Sequence, residues 1–298
     1  MLAKSFGAPF DRFASVTRPL LEGALARSLP PSGESAPALA RAMADAALSP
    51  GKRLRPLAAL AAGELARAPA AAALSVAVAV ELTHAASLVL DDLPSMDNAR
   101  RRRGRPALHL THGVATAELA AVALLARAFE LVAESPATPA SARARIAGEL
   151  ARAVGAEGCC AGQAADLAAD PSELDLEALE AIHSKKTGAL FVAAVRGGAL
   201  AGGAGEKALQ ALTLYARNLG LAFQITDDLL DAEGDPEKMG KDTGRDAHHA
   251  NFATLVGKDT CRRLVEELLA AAVEPLAFFR GKAEVLEDLA RVVRNRGA

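Results

Sequence analysis

The chain has 298 residues, 51% of them hydrophobic and 23% charged, with aromatics at 3%, no Trp and a formal net charge of −2. That apolar content is ample for a core, and the near-neutral, aromatic-poor balance excludes a general nucleic-acid binder, which carries a basic excess and stacking side chains. Ala and Leu dominate, which favours close-packed helices over sheets built from β-branched and aromatic residues.

Helical periodicity runs from Phe10 to Leu29 and stops at Pro30-Pro31, and a second helix covers Ala36–Ala47. A third is expected to start after Arg55-Pro56, with Pro in its first turn. The next, Ala70–Leu90, is apolar nearly all round and therefore central. Further helices are expected at Ala115–Glu134, Ala140–Ala169, Leu176–Ala201, Glu206–Glu233, Thr260–Phe278 with a kink at Pro275, and Lys282–Val293. Ser135-Pro136, Asp170-Pro171, Gly202-Gly203 and Gly234-Asp235-Pro236 punctuate them. With no alternating strand pattern, repeat or long linker, the reading is one all-α domain over residues 1–298, a large helical bundle.

Cys159, Cys160 and Cys261 form neither a disulfide framework nor a zinc spacing; adjacent Cys159 and Cys160, inside a helical pattern, read as small core residues, and a reducing compartment fits. Met1–Phe6 lacks the apolar stretch of a signal peptide. The runs Leu57–Gly63 and Ala70–Val80 read as too short to span a membrane, so a soluble cytoplasmic protein is expected.

Two stretches carry chemistry. In Leu88–Asn98 an apolar helical run delivers Asp91, Asp92 and Asp97, and Pro94 breaks the run. In Ile225–Asp231 the residues Asp227 and Asp231 lie four apart on one helix face, with Asp228 beside them. Both lie at the ends of apolar helices, where the macrodipole and mutual repulsion disfavour negative charge, so each needs a cation. On a straight helix Asp91 and Asp97 are about 120° out of phase, and converge only if the helix deforms at Pro94. Carboxylates without His or Cys partners suit Mg²⁺, which takes one or two of them together with substrate phosphates.

Cations stand where phosphates would need them. Lys52, Arg53 and Arg55 follow Gly51 at a helix start, Arg100–Arg103 and Arg105 follow the first acidic cluster, and Lys185-Lys186 and Lys241 lie near other helix ends. Arg forks and Lys point charges are the usual diphosphate ligands. His84, seven residues before Asp91, shares its face and suits a phosphate hydrogen bond. Composition assigns His248-His249 no role.

These stretches, in order and over nearly the whole chain, resemble the trans-isoprenyl diphosphate synthases, with Glu81–Asn98 particularly similar to the bacterial geranylgeranyl enzymes. Gly51–Pro56 resembles the isopentenyl-diphosphate motif, and Asp91–Asp97 the first aspartate-rich motif with two extra residues. Gly162-Gln163-Ala164-Ala165-Asp166 and Lys186-Thr187-Gly188 match two internal motifs, and Phe223–Asp231 the second aspartate-rich motif. The family usually carries a further Lys after Gly244-Arg245-Asp246, where this chain has Ala247–Asn251, leaving His249 available to replace it.

The resemblance implies head-to-tail condensation of isopentenyl diphosphate with an allylic diphosphate (dimethylallyl, geranyl or farnesyl) by a homodimer. It implies Mg²⁺ ions, three in number, held by Asp91 and Asp97 and by Asp227 with Asp228 and Asp231. Arg102, Lys186 and Lys241 would hold the leaving diphosphate, and Lys52, Arg55, His84 and Arg103 the isopentenyl one, with Gly51 allowing close approach. The carbonyl of Thr187 and the amide of Gln224 would face the allylic cation. Product length then depends on Ala86 and Ser87, small residues a turn before Asp91, with Leu82 and Thr83 as the floor. Geranylgeranyl diphosphate (C20) is expected, with farnesyl (C15) the alternative. A class I terpene cyclase would not need the second diphosphate site, and a non-catalytic partner subunit would have eroded aspartates.

Overall fold

The computed structural model describes residues 8–30, 36–233 and 251–295. Helix α1 (Pro9–Ser28) and α2 (Pro37–Ala47) each open on Pro, whose fixed φ suits the first helical position. Helix α3 (Leu54–Leu65) starts two residues before the expected Pro56, because Arg53 takes the left-handed conformation (φ 52°) that turns the chain into it. Helix α4 spans Ala70–Asp91. A two-stranded hairpin follows, β1 (Arg101–Arg102) antiparallel to β2 (Arg105–Pro106), then a short α5 (Leu108–His112) and α6 (Val114–Ala133).

The stretch expected as one helix over Ala140–Ala169 is two, α7 (Ala140–Val154) and α8 (Cys159–Ala168). Gly155 and Gly158 fall at the break, where glycine weakens a helix most. Leu176–Ala201 is likewise interrupted: α9 (Leu176–His183) passes through a π turn, Ser184–Gly188, into α10 (Ala189–Ala201). After α11 (Glu206–Glu233) come a short α12 (Phe252–Val256) and α13 (Lys258–Val273). Beyond it the kink expected at Pro275 is a 3₁₀ segment over Glu274–Phe279, followed by α14 (Glu284–Arg294).

Helix α4 is the centre, flanked by α3, α6 and α10. At 22 residues it is long and apolar enough to cross a membrane, contrary to the expectation from Ala70–Val80 alone, but 67% of its apolar window is buried inside the protein. Its neighbours approach closely because the contact faces are small: Ala72, Ala77 and Ala79 of α4 and Ala117, Ala120 and Ala121 of α6 are all fully buried. Gly198 of α10 lies so near α3 that a Cβ there would stand 2.0 Å from the Ala59 carbonyl oxygen. Of the three cysteines only Cys261 is a core residue; Cys159 is half-buried and Cys160 exposed at the start of α8.

Candidate active site

The end of α4 delivers Asp91, and the chain then doubles back rather than continuing. The amide of Asp97 donates to the Asp91 carbonyl at 2.9 Å, and those of Asn98 and Ala99 donate to Leu93 and Asp92 at 2.9 and 3.2 Å. This is the deformation that brings Asp97 back beside Asp91. Burial pushes the Asp91 carboxyl up to about 6; Lys186 opposes the shift and Asp97 adds to it. Asp92 points elsewhere: it is buried, and the Arg102 Nε lies 2.9 Å from its Oδ1 and 3.2 Å from its Oδ2.

The hairpin places both arginines. Arg103 and Gly104 sit at its turn with φ of 52° and 77°, the positive values that a two-residue hairpin turn of the right twist requires. Arg102 therefore reaches back to Asp92, while Arg103 crosses to the loop after α2 and to α4, with Nη1 3.1 Å from Ser49 Oγ and Nη2 3.5 Å from His84 Nε2. Arg55 meets the same His84 nitrogen at 3.4 Å. Its guanidinium lies over the rings of Phe191 at 4.5 Å and Phe223 at 5.4 Å, which orients it by cation–π attraction. Burial, then Arg55 and Arg103, hold the His84 imidazole well below its ordinary pKa, so it is neutral among cations. Lys52 is exposed at the rim. A Cβ on Gly51 would stand 2.9 Å from Arg103 Nη1, so the close approach expected there is to Arg103.

Arg53, counted by its position among the phosphate-binding cations, turns inward instead. Its side chain is 1% exposed, bonds Glu22 at 2.9 Å and the Ser49 carbonyl at 2.9 Å, and pairs with buried Glu81. It ties α1, α2 and α4 around the start of α3, fixing where Arg55 emerges.

The π turn carries Lys186 and Thr187 between the two acidic ends. Lys186 Nζ lies 2.6 Å from Asp166 Oδ2. Burial works against its charge, but Asp166, Asp91 and Asp97 together raise its pKa above the usual lysine value. Gly162 makes this possible, since a Cβ there would fall 2.3 Å from the Lys186 backbone nitrogen. Thr187 Oγ1 donates to Gln224 Oε1 at 2.8 Å, and Gln224 Nε2 donates to Asp228 Oδ1 at 2.9 Å. The Phe252 amide donates to Asp228 Oδ2 at 2.9 Å; burial pushes this carboxyl up to about 7. Asp227 and Asp231, on the same stripe of α11 as Gln224 and Asp228, are half-buried, and Asp227 contributes to the potential at Arg55.

The structure thus links Asp91 and Asp97 to Lys186, Thr187 to Gln224, and Arg55 and Arg103 to His84. Leu82 and Ala86 are fully buried, Thr83 is 2% exposed, and Ser87 is half-buried with its hydroxyl donating to the His84 carbonyl. Lys241, His248 and His249 lie outside the described residues. The roles of Asp166, the Phe191–Phe223 pair and the Arg53 clamp were not singled out from sequence; Asp166, Phe223 and Arg53 lie inside motifs that were, while Phe191 had no such signal. Among the described residues no group of three His, Cys, Asp or Glu side chains forms a metal cage. The donors present, Asp91 with Asp97 and Asp227 with Asp231, are hard oxygens in pairs, which suits Mg²⁺ completing its shell with phosphate and water.

A family model described as polyprenyl synthetase matches residues 36–274. Geranylgeranyl diphosphate synthase of Cyanophora paradoxa is 42% identical over 83% of this chain and 83% of its own. Farnesyl diphosphate synthase of Geobacillus stearothermophilus is 42% identical over 90% of this chain and 88% of its own. Among solved structures, a geranyltransferase of Helicobacter pylori complexed with magnesium and isoprenyl diphosphate superposes with a TM-score of 0.85 at 28% identity, covering 98% of both chains.

Proposed function

Because this chain belongs to the polyprenyl synthetase family, and is therefore a prenyltransferase, we propose that it condenses isopentenyl diphosphate head-to-tail with allylic diphosphates, with geranylgeranyl diphosphate (C20) as main product. Relatives bear both geranylgeranyl and farnesyl names; the C20 assignment rests on the small Ala86 and Ser87 before Asp91. The observation that carries the reading is the π turn, whose consecutive Lys186 and Thr187 engage the first acidic end and the second.

Asp91, Asp97, Asp227 and Asp231 would hold Mg²⁺, which when bound supplies Lewis-acid withdrawal of charge from the leaving diphosphate. Lys186 meets that diphosphate with a fixed positive charge, held in place by Asp166. Arg102 stands behind the same site, fixed on Asp92. On the other side Arg55, Arg103 and Lys52 bind the diphosphate of the nucleophile, and neutral His84 adds a hydrogen bond. The carbonyl of Thr187 and the side-chain oxygen of Gln224 face the carbon that becomes electron-poor as the allylic C–O bond ionises, a charge that preorganised dipoles stabilise without reorganising. The isopentenyl double bond attacks that carbon, and the proton then lost from the adduct goes to the released diphosphate.

We further propose a cytoplasmic homodimer. Leu110 of α5 and Val114, Leu119 and Val122 of α6 are exposed apolar side chains on adjacent helices, a face that a second copy would cover. The test is direct: purified protein with isopentenyl diphosphate, each allylic primer and Mg²⁺, read by mass analysis of the products. Incorporation ending at C20 is the expected result, and no incorporation with any primer overturns the reading.

A further inference from the structure

We propose that Asp228 is a positioning residue that fixes which end of the Gln224 side-chain amide faces the reacting allylic carbon, and that it is not a metal ligand. The inference rests on the reading that Gln224 borders that carbon. On α11 Gln224, Asp227, Asp228 and Asp231 share one stripe at i, i+3, i+4 and i+7, in two four-residue pairs: Asp227 with Asp231, and Gln224 with Asp228. The second pair is closed on itself.

Asp228 is 6% exposed, and each of its oxygens already has a donor, Gln224 Nε2 on Oδ1 and the Phe252 backbone amide on Oδ2, both at 2.9 Å. Both Asp228 oxygens act as acceptors in these contacts, so the side it presents to Gln224 takes the Nε2 end of the amide. The partially negative Oε1 is thereby turned to the Thr187 side, where the Thr187 hydroxyl donates to it at 2.8 Å. The carboxylate is itself held from two directions. Asn251 caps α12 and fixes the Phe252 amide, and the Phe252 ring lies 5.4 Å from that of His183, the residue that precedes the π turn. The Thr187 hydroxyl, the Gln224 amide and the Asp228 carboxyl form one oriented chain of hydrogen bonds.

The test compares two probes of equal shape at saturating Mg²⁺: an aza analogue of geranyl diphosphate, carrying an ammonium where the cation forms, and its uncharged carbon isostere. Kd is measured by calorimetry. Asp228→Asn keeps an oxygen for Phe252 but offers an N–H to Gln224, so the amide turns round and presents its NH₂ end to the cation. The ammonium probe should then bind roughly tenfold weaker, the scale of one hydrogen bond to a charge. The isostere should bind as before, and kcat should fall while KM for the allylic diphosphate holds. Combining Asp228→Asn with Gln224→Glu, which has an oxygen at both ends, should restore the preference for the ammonium probe.

Equal weakening of both probes, with a raised Mg²⁺ half-saturation or a lowered melting temperature, overturns the proposal. Gln224→Ala separates it from the reading beneath. If that variant leaves the probe ratio at the wild-type value, Gln224 does not face the cation and both ideas fall. If it lowers the ratio and Asp228→Asn does not, the positioning role alone falls.

Discussion

Arg102 grips Asp92 through both carboxylate oxygens, its Nε 2.9 Å from one and 3.2 Å from the other, with the Asp92 side chain 4% exposed and that of Arg102 23%. The pair fastens the hairpin to the loop that carries Asp97. Removing one partner of a buried pair leaves the other charge stranded, at about 3 kcal/mol. Arg102→Met should therefore lower stability by roughly that amount in urea denaturation. Adding Asp92→Asn should recover most of the stability, because the stranded charge is gone, while turnover stays low, because the hairpin arginines are no longer placed.

Asp227→Ala should reduce turnover at least a hundredfold, in line with roughly 3 kcal/mol for a deleted electrostatic group at a reacting centre. Asp227 is half-buried near the end of α11, so its melting temperature should stay near wild type. Near-wild-type turnover would remove this residue from the proposed metal site.

Acid titration should expose the strain at the two acidic ends. Burial raises the Asp91 carboxyl from 3.8 to about 6 and that of Asp228 from 3.8 to about 7. A raised folded-state pKa means that the native protein binds these protons more tightly than the unfolded chain. Their contribution to stability is thus present below about pH 4 and lost as pH rises through about 6 and about 7. In EDTA, Asp228→Asn should show a shallower fall in unfolding free energy between those limits than wild type. Parallel slopes would show that Asp228 is not the group responsible.

The helices were legible because apolar periodicity and Pro or Gly punctuation are local properties. Ala70–Leu90 reads as a central helix from its own residues, and α11 has the bounds expected of it. The π turn was not legible: Ser184–Gly188 continues a helical pattern, and its extra residue per turn is forced from outside by α8 packing through Gly162 against the Lys186 backbone. The hairpin is hidden for a different reason. A run of arginines has no alternation, and its turn places a non-glycine residue, Arg103, at positive φ. The role of Arg53 was misread because sequence position cannot say which of three closely spaced cations turns inward; buried Glu81, the one carboxylate of α4 before Asp91, decides it.

Gly198→Ala tests whether the distance between α3 and α10 matters to the site. The new methyl would meet the Ala59 carbonyl oxygen at 2.0 Å, so the helices must part, at a cost of about 1–3 kcal/mol for overpacking. Helix α3 carries Arg55 and α10 carries Phe191, so parting them disturbs the stack that aims the guanidinium. The expected outcome is a lower melting temperature together with a raised KM for isopentenyl diphosphate and a smaller change in that for the allylic substrate.

Ala86→Phe addresses product length. Ala86 is fully buried five positions before Asp91, beside Leu82 and Thr83, which are also buried. If the growing prenyl tail runs along this part of α4, a benzyl group occupies the room that the later isoprene units need, and the chain is released short. A ring without such room would instead overpack the close Ala-lined contacts of α4, at about 1–3 kcal/mol. The two outcomes separate in a paired measurement. A shift of the product mixture towards C15 or C10 with a melting temperature near wild type supports the channel. An unchanged product with a large drop in melting temperature places the tail elsewhere and makes Ala86 a packing residue only.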